Sequence, residues 1–525
     1  MAKHMALISV HDKTGVEDFA RGLVELGYGI LSTGGTARAI RDAGVEVTDV
    51  SAVTGFPEVM DGRVKTLHPL IHAGILARPT AEHMAELAKI GGSPIDIVVS
   101  NLYPFQRTVE SGAREEDIIE NIDVGGPSMV RAAAKNFERV TVVVDPAHYG
   151  EILAELRESG SVSLAVRRSL AAEAFRHTAA YDCAISNYFA GAVHGDPAGP
   201  QAREMLTPEW TTGGVLVQSL RYGENPHQAA AFYRTSGCVP RGIAASKQLS
   251  GKELSFNNLA DMDAAISTVR EFDEPAVVIV KHGNPCGAGT GRGRDSHGLA
   301  EAFSVALECD PVSAFGGIVA ANRSVDRAAA EAMKKLFLEV IAAPGFDDDA
   351  LAVLRLKPNL RLIDMSAGAW QAAPSWDVRP VLGGFLVQQP DSTRDDGAGF
   401  SVVTKRAPDE REGIQLAYAW KLAAHVRSNA IVLWNGDGAV GVGAGQMNRV
   451  GAAKIAIEAA GERARGSVLA SDGFFPFADT VELAADAGIT AIIQPGGSVK
   501  DRDSIESANA HGLAMVFTGV RHFAH

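Results

Sequence analysis

Two adjacent polar residues, Lys281 and His282, end an apolar run at residues 276–280 and precede a Gly-Asn-Pro-Cys-Gly turn. The run predicts a strand buried on both faces. In open α/β sheets, chemistry takes place at the carboxyl ends of such strands. An imidazole titrates near neutral pH, and an adjacent ammonium favours its neutral, base-competent form. The pair therefore predicts a proton-handling site; the alternative is that both residues are only the polar end of a core strand.

Two glycine-rich junctions in the first part of the chain carry groups suited to phosphate. They read His-Asp-Lys-Thr-Gly at residues 11–15 and Thr-Gly-Gly-Thr at residues 33–36, each between a predicted strand and a predicted helix. Unpaired N–H groups and the helix dipole attract an anion there, and glycines let the backbone approach it closely. Neither junction has the Walker or the Gly-x-Gly-x-x-Gly pattern, which favours a monophosphate. The alternative is that the glycines only make tight turns.

A third polar string, Gly-Arg-Val-Lys-Thr-Leu-His-Pro at residues 62–69, is closely followed by His72. Two cations, a hydroxyl and two imidazoles this close together are costly to bury without an anion, although solvent-exposed loop charges are the alternative. Polar groups also occur at residues 101–105 (Asn-Leu-Tyr-Pro-Phe) and 123–128 (Asp-Val-Gly-Gly-Pro-Ser). Together these strings predict a nucleoside monophosphate site at one edge of a sheet.

Short apolar runs alternate with amphipathic stretches in this part of the chain. The alternation predicts an α/β fold with a doubly wound parallel sheet and helices on both faces. The runs lie at residues 6–10, 29–32, 45–50, 95–100, 118–123 and 140–144. A stretch rich in glycine and proline between residues 189 and 210 predicts an inter-domain linker. A chain of 525 residues is expected to form two or three domains.

Composition narrows the class of protein. The net charge of −14 argues against nucleic acid as a partner. Four scattered cysteines suit a reducing cytoplasm and do not indicate a disulfide framework. The first residues lack the apolar stretch of a signal peptide, and no later run of about 18 apolar residues is suited to spanning a bilayer. We therefore expect a soluble, cytoplasmic protein without a membrane partner.

The second part of the chain contains further polar strings around its predicted strands. Arg221 offers a planar fork suited to phosphate, and Tyr222 offers an amphipathic ring suited to a base. The other strings lie at residues 252–261, 310–317, 427–429, 443–449, 471–477, 494–498 and 521–523. Taken alone, these strings also fit a plain interpretation, in which the glycines make turns and the Phe-Phe-Pro-Phe cluster at 474–477 is core.

The strings of both parts resemble a bifunctional enzyme family of purine biosynthesis. That family joins AICAR transformylase (AICAR is aminoimidazole carboxamide ribotide) to inosine monophosphate (IMP) cyclohydrolase. The string at residues 62–69 is the most specific of the matches. The resemblance implies a cyclohydrolase domain at residues 1–195 with a methylglyoxal-synthase-like, doubly wound parallel sheet. It also implies a transformylase domain at residues 205–525, built from cytidine-deaminase-like α/β subdomains.

In the transformylase half, the resemblance implies formyl transfer from the co-substrate 10-formyltetrahydrofolate to the amine of AICAR. It implies that His282 is the base, that Lys281 stabilises charge or relays a proton, and that Asn429 orients His282 or the substrate amide. The residues expected to hold AICAR are Arg221, Tyr222, Asn258, Glu339, Arg449 and Arg521. Phe475 and Pro476 are expected to line the folate site.

In the cyclohydrolase half, the resemblance implies ring closure of formyl-AICAR to IMP. The residues expected to move protons are Lys65, Tyr103, Asp123 and Lys135. Those expected to bind the substrate are Lys13, Thr33, Gly34, Gly35, Thr36, Arg63, Thr66, Asn101 and Gly125. Neither step needs a metal or a redox cofactor, and the sequence leaves open whether a structural monovalent cation binds.

The sequence leaves two other classes of function as alternatives. Pro285-Cys286 matches the start of the zinc deaminase signature, but Gly289 occupies the place of its second cysteine and no His-x-Glu precedes it. A ligand sensor is the other alternative, since the N-terminal fold also resembles regulatory domains that bind small phosphates. The family forms homodimers, so we expect one here. The sequence does not indicate whether the intermediate passes directly between sites, or what residues 350–410 contribute.

Overall fold

The computed structural model describes residues 4–60, 62–194, 202–292, 298–366, 368–371, 376–391 and 399–525. Within these residues the chain divides into two compact units. The N-terminal unit is drawn from Met1–Gly195, Arg203–Val215 and Thr235–Val239. The C-terminal unit is drawn from Asp196–Ala202, Leu216–Arg234 and Pro240–His525. Among the described residues, no helix combines the length and the apolar character needed to cross a bilayer.

A parallel sheet organises the N-terminal unit. Its strand order is β3-β2-β1-β4-β5, and every neighbouring pair is parallel. The strands are β1 His4–Ile8, β2 Tyr28–Ser32, β3 Thr48–Asp49, β4 Ile97–Val99 and β5 Thr141–Val143. Residues of β4 and β5 are fully buried, as expected for strands covered on both faces. The order reverses between β1 and β4, and ligands bind outside the carboxyl ends of strands at such a switch point.

Helices cover both faces of this sheet and confirm the predicted fold class. They are α1 Val16–Glu25, α2 Gly34–Asp42, α3 Val50–Thr54, α4 Pro69–Leu76, α5 Ala81–Lys89, α6 Phe105–Glu110, α7 Glu115–Glu120, α8 Gly125–Lys135, α9 Tyr149–Ser159 and α10 Leu164–His194. The run at residues 118–123 does not form a strand: residues 118–120 end α7, and residues 121–123 follow it as a turn and loop. Three acidic residues in the first turn of α7 favour a helix start there, and only Ile118 of that helix is buried.

The C-terminal unit contains a twelve-stranded mixed sheet in the order β16-β21-β20-β19-β17-β18-β10-β9-β11-β12-β13-β8. Residues 247–364 supply one half of the sheet: β8 Lys247–Ser250, β9 Ala276–Lys281, β10 Asn284–Thr290, β11 Ile318–Ala321, β12 Val340–Ala343 and β13 Arg361–Asp364. Residues 401–517 supply the other half: β16 Ser401–Val402, β17 Ile431–Asn435, β18 Gly438–Gly443, β19 Val468–Ser471, β20 Ala491–Gln494 and β21 Ala514–Phe517. Two separate hairpins are β6 Gly214–Leu220 with β7 Ala230–Thr235, and β14 Asp377–Val381 with β15 Gly384–Gln388.

The two halves of this sheet repeat the same arrangement. In each half a strand hairpin (β9–β10 or β17–β18) pairs antiparallel with a set of three parallel strands, and a short antiparallel strand closes the edge. The halves meet where β10 pairs with β18. Their helices are α11 Phe256–Val269, α12 Leu299–Cys309, α13 Arg327–Met333, α14 Asp348–Leu354, α15 Glu410–Ala423, α16 Arg449–Ala460, α17 Asp479–Asp486 and α18 Asp501–Ala510. The equivalent helices α11 and α15 both begin with a capping box, Ser255 with Asn258 and Asp409 with Glu412.

Candidate functional sites

Two lysine side chains flank the N-terminus of α2 in the N-terminal unit. Gly34 has φ of +47°, and a Cβ atom added to it would lie 4.0 Å from Nζ of Lys65. A Cβ atom on Gly35 would lie 3.9 Å from Nζ of Lys13, and the buried Thr33 is the N-cap residue. The first N–H groups of α2 have no intrahelical partners, and they form the positive end of the helix dipole. These groups and the two ammonium groups form a site suited to a phosphate.

Side-chain hydrogen bonds fix the backbone loop after β1 beside this phosphate site. Asn101 Oδ1 accepts the backbone N–H groups of His11 at 2.6 Å and Asp12 at 2.9 Å, and the Asn101 amide donates to the Asp12 carbonyl at 3.0 Å. The Thr36 hydroxyl accepts the N–H of Val10 at 3.1 Å and donates to the carbonyl of Val10 at 2.9 Å. Asn101 and Thr36 therefore hold the loop in place.

A cavity of about 410 Å³ lies at the carboxyl ends of β1, β4 and β5. Its volume falls within the range of about 300–1,000 Å³ that small-molecule pockets occupy. Nε2 of His177 is buried without a hydrogen-bond partner, and burial lowers the pKa of this imidazole. The cavity adjoins the loop after β1, because Asp12 and Asn101 line it. The full lining is Asp12, Asn101, Val144, Asp145, Pro146, Glu173, Arg176 and His177.

Three of the predicted proton-transfer residues lie together in the same unit. Nζ of Lys65 donates to the hydroxyl of Tyr103 at 3.4 Å. The carboxylate of Asp123 accepts the N–H of Gly126 at 2.8 Å and the backbone N–H of Tyr103. Burial raises the pKa of Asp123, although these hydrogen bonds and the Lys65 ammonium oppose the rise. An amine, a phenol and a carboxyl group with a raised pKa are suited to proton transfer. We call these residues, with the lysines around Gly34, the N-terminal site.

Four predicted residues of this unit remain: Thr66, Gly125, Arg63 and Lys135. Thr66 is buried, and a Cβ atom on Gly125 would lie 2.9 Å from its hydroxyl oxygen, so these two residues are in close contact. The guanidinium of Arg63 binds the carboxylate of Glu120 through two nitrogens. Lys135 is exposed at the far end of α8, about 15 Å along the helix from Gly125. The roles of these four residues, like those of the other predicted site residues, stay predictions.

In the C-terminal unit, His282 occupies the two-residue turn between β9 and β10. Its side chain is exposed, whereas residues 276–280 of β9 are buried. The neighbouring ammonium of Lys281 donates to the carbonyl of Phe315 at 2.6 Å. The imidazole is therefore accessible at the end of a core strand, which favours the proton-handling interpretation of this pair.

A loop that carries Asn429 contacts this turn. The backbone N–H of Arg427 donates to Oδ1 of Asn284 at 3.0 Å. A Cβ atom on Gly283 would lie 3.2 Å from the Arg427 guanidinium. These contacts bring Asn429 and His282, which are distant in sequence, to the same end of the sheet.

A buried network fixes the side chain of Asn429. Its amide donates to the carbonyl of Gln446 at 2.8 Å, and its Oδ1 accepts from Arg449 at 2.8 Å. The buried guanidinium of Arg449 also binds the carboxylate of Asp472 and donates to the Ser471 hydroxyl at 2.9 Å. Asp472 is fully buried. In this structure Arg449 therefore positions Asn429, whereas the sequence predicts a direct contact with AICAR.

Asn258 and Glu339 are hydrogen-bonded at 2.9 Å. Asn258 is buried and belongs to the capping box of α11, where its Oδ1 accepts the N–H of Ser255 at 3.1 Å. Glu339 is half-exposed and also pairs with Arg361 at 3.4 Å. The carboxylate of Glu339 is therefore held from two sides and still faces solvent.

Arg221 and Tyr222 lie on the loop after β6. The Arg221 guanidinium is 5.7 Å from the centroid of the Tyr222 ring, and its side chain is exposed. The same loop reaches the start of α11, because Asn257 donates to the carbonyl of Glu224 at 3.4 Å. We call these groups, with those around His282 and Asn429, the C-terminal site.

The expectation for Phe475 needs a correction. Its side chain is completely buried in the core formed with α16 and α17, so its ring is not available to a folate in this structure. The adjacent Pro476 and Phe477 are exposed instead. Arg521 is exposed near the end of the chain, with its guanidinium 4.6 Å from the centroid of the Phe523 ring.

Comparison with known proteins decides the family. Residues 133–459 match the family model described as "AICARFT/IMPCHase bienzyme", and residues 15–128 match the model of the MGS-like domain. The chain belongs to the AICARFT/IMPCHase bienzyme family. It is 54% identical over 525 residues, 100% of both chains, to "Bifunctional purine biosynthesis protein PurH" of Bacillus cereus (strain 03BB102), and equally to that of Bacillus thuringiensis (strain Al Hakam). A solved structure titled "Crystal structure of ForH" is 38% identical and covers 35% of this chain and 98% of its own, with a TM-score of 0.32.

The zinc-deaminase alternative finds little support in this bienzyme. Among the described residues, no group of three or more His, Cys, Asp and Glu is placed to hold a metal ion. Sγ of Cys286 lies 3.4 Å from the carbonyl oxygen of Ile279, and burial raises the pKa of the thiol to about 12.

Sequence patterns do not indicate the partners of three site residues, although Asp261 and Asp472 lie within the polar strings at 252–261 and 471–477. Asp261 binds the turn of His282, Asp472 binds Arg449, and the hydroxyl of Tyr181 bridges the backbone at Asp123. Each lies far along the chain from its partner, so spacing does not reveal the pair. A carboxylate that follows an apolar run, as Asp472 does, indicates that a partner exists, because a buried charge needs one. It does not indicate which residue the partner is.

Proposed function

We propose that the two sites carry the two activities of the bienzyme family. The C-terminal site transfers the formyl group of 10-formyltetrahydrofolate to AICAR, and the N-terminal site closes formyl-AICAR to IMP. The observation that carries this assignment is the separation of the two polar sites into different units, each at the end of a buried strand. These are the last two steps of IMP biosynthesis, catalysed by one chain.

In formyl transfer the amine of AICAR is a weak nucleophile, because it is conjugated to the carboxamide across the imidazole. Its nitrogen bonds to the formyl carbon while the bond from that carbon to the folate nitrogen breaks. His282 takes the proton that the amine loses, which can contribute about 10²–10⁴-fold to the rate. Lys281 lies beside it and stabilises charge or supplies a proton to the departing folate nitrogen.

Ring closure is intramolecular. The carboxamide nitrogen attacks the formyl carbon, and the oxygen leaves as water, so proximity supplies much of the rate acceleration. The phosphate of the substrate binds Lys13, Lys65 and the N-terminus of α2. Tyr103 and Asp123 then exchange protons with the reacting nitrogen and oxygen.

The test is a double dissociation between the sites. His282→Ala should abolish formyl transfer and leave cyclisation of supplied formyl-AICAR intact, and Lys65→Ala should do the reverse. His511→Ala and Lys89→Ala are matched controls, because both residues lie at exposed helix ends away from the sites. Loss of both activities from one substitution in a folded protein would refute the two-site assignment.

We also propose that the protein acts as a homodimer in the cytoplasm. The β14–β15 hairpin supports a dimer, because an isolated hairpin is only marginally stable and its apolar side chains are exposed, including Val381, Leu382 and Leu386. Cys183, Cys286 and Cys309 are free thiols, as suits a reducing compartment. Sedimentation equilibrium should give twice the chain mass, and Leu386→Glu should shift the distribution toward monomer; an unchanged distribution would place the dimer contact elsewhere.

A further inference from the structure

We propose that Asp261 is a positioning residue for formyl transfer, which acts by holding the turn that carries His282. The inference rests on the proposed role of His282 as the base. It arises from three features of the structure: the backbone conformation of the turn, the two hydrogen bonds that the Asp261 carboxylate accepts, and the anchoring of the turn from its other side.

The turn between β9 and β10 has an unusual backbone conformation. It contains two residues, His282 with φ of +55° and Gly283 with φ of +73°. Two-residue hairpins with both φ values positive favour Asn-Gly, Asp-Gly or Gly-Gly, because residues with larger side chains are strained there. Histidine adopts a positive φ more readily than most side chains but less readily than glycine, so support from neighbouring groups stabilises His282 in the first position.

Asp261 supplies that support from α11. Its Oδ2 accepts the N–H of His282 at 3.1 Å, and its Oδ1 accepts the N–H of Gly283 at 2.6 Å. One carboxylate therefore satisfies both N–H groups of the turn, and hydrogen bonds to an ionised acceptor are stronger than neutral ones. Asp261 is itself fixed, because α11 begins with a capping box and the adjacent Met262 is fully buried.

The opposite side of the turn is tied to the loop of Asn429. Asn284 accepts the backbone N–H of Arg427 at 3.0 Å. The His282 turn therefore lies between α11 and the Asn429 loop. Since both oxygens of Asp261 are engaged by backbone N–H groups of the turn, its effect on catalysis passes through the orientation of the imidazole.

Asp261→Asn tests the proposal, because it preserves shape but replaces one acceptor by a donor that faces an N–H. A displacement of about 1 Å in a reacting group can lower a rate about a hundredfold. We expect kcat of formyl transfer to fall by about tenfold to a hundredfold, with KM for AICAR and for the folate changed by less than about threefold. Asp263→Asn is the control, since that carboxylate lies on the same helix and has His425 as its charged neighbour. Cyclisation should be unchanged in both variants because it belongs to the N-terminal unit, and an unchanged urea unfolding curve, followed by tryptophan fluorescence, reports intact folding of the C-terminal unit.

A double-mutant cycle separates positioning from a general structural effect. Asp261→Asn should have no further effect on the residual rate of His282→Ala, because residues that act through one another are non-additive. The same fractional loss in both backgrounds, or an unchanged kcat in Asp261→Asn alone, would overturn the proposal. Should the residual rate be too small to measure, hydrogen exchange at the two turn amides decides: unchanged exchange in Asp261→Asn would also overturn it. If His282→Ala itself retains full formyl transfer, the proposed function of His282 fails instead.

Discussion

The N-terminal and C-terminal sites hold their charged groups in different ways. The N-terminal site relies on Lys13 and Lys65 around a helix terminus, where Lys65 donates to the Tyr103 hydroxyl at 3.4 Å and Lys13 donates to the His11 carbonyl at 3.3 Å. The C-terminal site instead rests on Arg449 and Asp472, which are almost completely buried. Lysines at the protein surface serve the first site, and a buried ion pair supports the second.

The proposed reactions explain this difference. Ring closure joins two groups of one molecule, so the substrate supplies its own proximity, and the protein needs to hold the phosphate and move protons. Formyl transfer must align two separate molecules with a base, so misplacement of a side chain lowers the rate directly. The comparison teaches that buried hydrogen-bond and ion-pair networks are expected where two substrates must be aligned. Exposed cations are expected where the two reacting groups belong to one substrate.

The largest effect is expected from Asp472→Ala. Removing one partner of a buried ion pair leaves the charge of Arg449 uncompensated, which costs about 3–5 kcal/mol of unfolding free energy. Asp472 also accepts the hydroxyl of Ser428 at 2.5 Å and the N–H of Ala430 at 3.1 Å, and both donors lose their partner. Urea unfolding followed by tryptophan fluorescence measures the loss, and formyl transfer should be lost with it while cyclisation persists.

Glu506→Gln is the matched control for that experiment. It breaks an exposed pair with Arg502 four residues away on α18, and solvent screening leaves such exposed pairs with little effect on stability. A loss for Asp472→Ala no larger than that of the control would show that the buried network does not stabilise the C-terminal unit, and the contrast between the two sites would disappear.

An intermediate effect is expected from Asp123→Asn in the N-terminal site. Burial raises the pKa of Asp123, so this carboxyl keeps its proton to a higher pH than an exposed aspartate does. If the ionised form accepts a proton during ring closure, kcat of cyclisation falls as the pH decreases through that raised pKa. Asp123→Asn should lower kcat about a hundredfold and abolish this acid limb. A limb that survives in the variant would assign the titration to another group.

Sequence patterns predict the local parts of both sites. The Gly34-Gly35 junction opens a helix as expected, because its anion-binding character depends on adjacent residues. The pair Lys281-His282 ends a buried strand for the same reason, since an apolar run followed by a turn is a local signal. The doubly wound parallel sheet also follows from local alternation and is confirmed.

Contacts between residues of elements that are distant in sequence cannot be predicted from local sequence patterns. Asp261 and His282 meet because α11 packs beside β9, and no spacing rule indicates the contact. The ring of Phe475 is buried although its neighbours Pro476 and Phe477 face solvent, because it packs against residues of α16 and α17 that are distant in sequence. The run at residues 118–123 has the composition of a strand, but acidic residues at the start of α7 and its exposed position produce a helix.

The smallest effect is expected from Tyr181→Phe on α10. The Tyr181 hydroxyl accepts the backbone N–H of Asp123 at 2.8 Å and donates to the carbonyl of Asn121 at 3.0 Å. Its loss leaves both backbone groups without this partner, at a cost of about 1–3 kcal/mol in stability. The Asp123 carboxylate keeps its bond to Gly126, so kcat of cyclisation should fall by about tenfold or less. Tyr188→Phe on the same helix is the control; an equal loss there would mean that helix packing, and not the bridge to Asp123, tunes the N-terminal site.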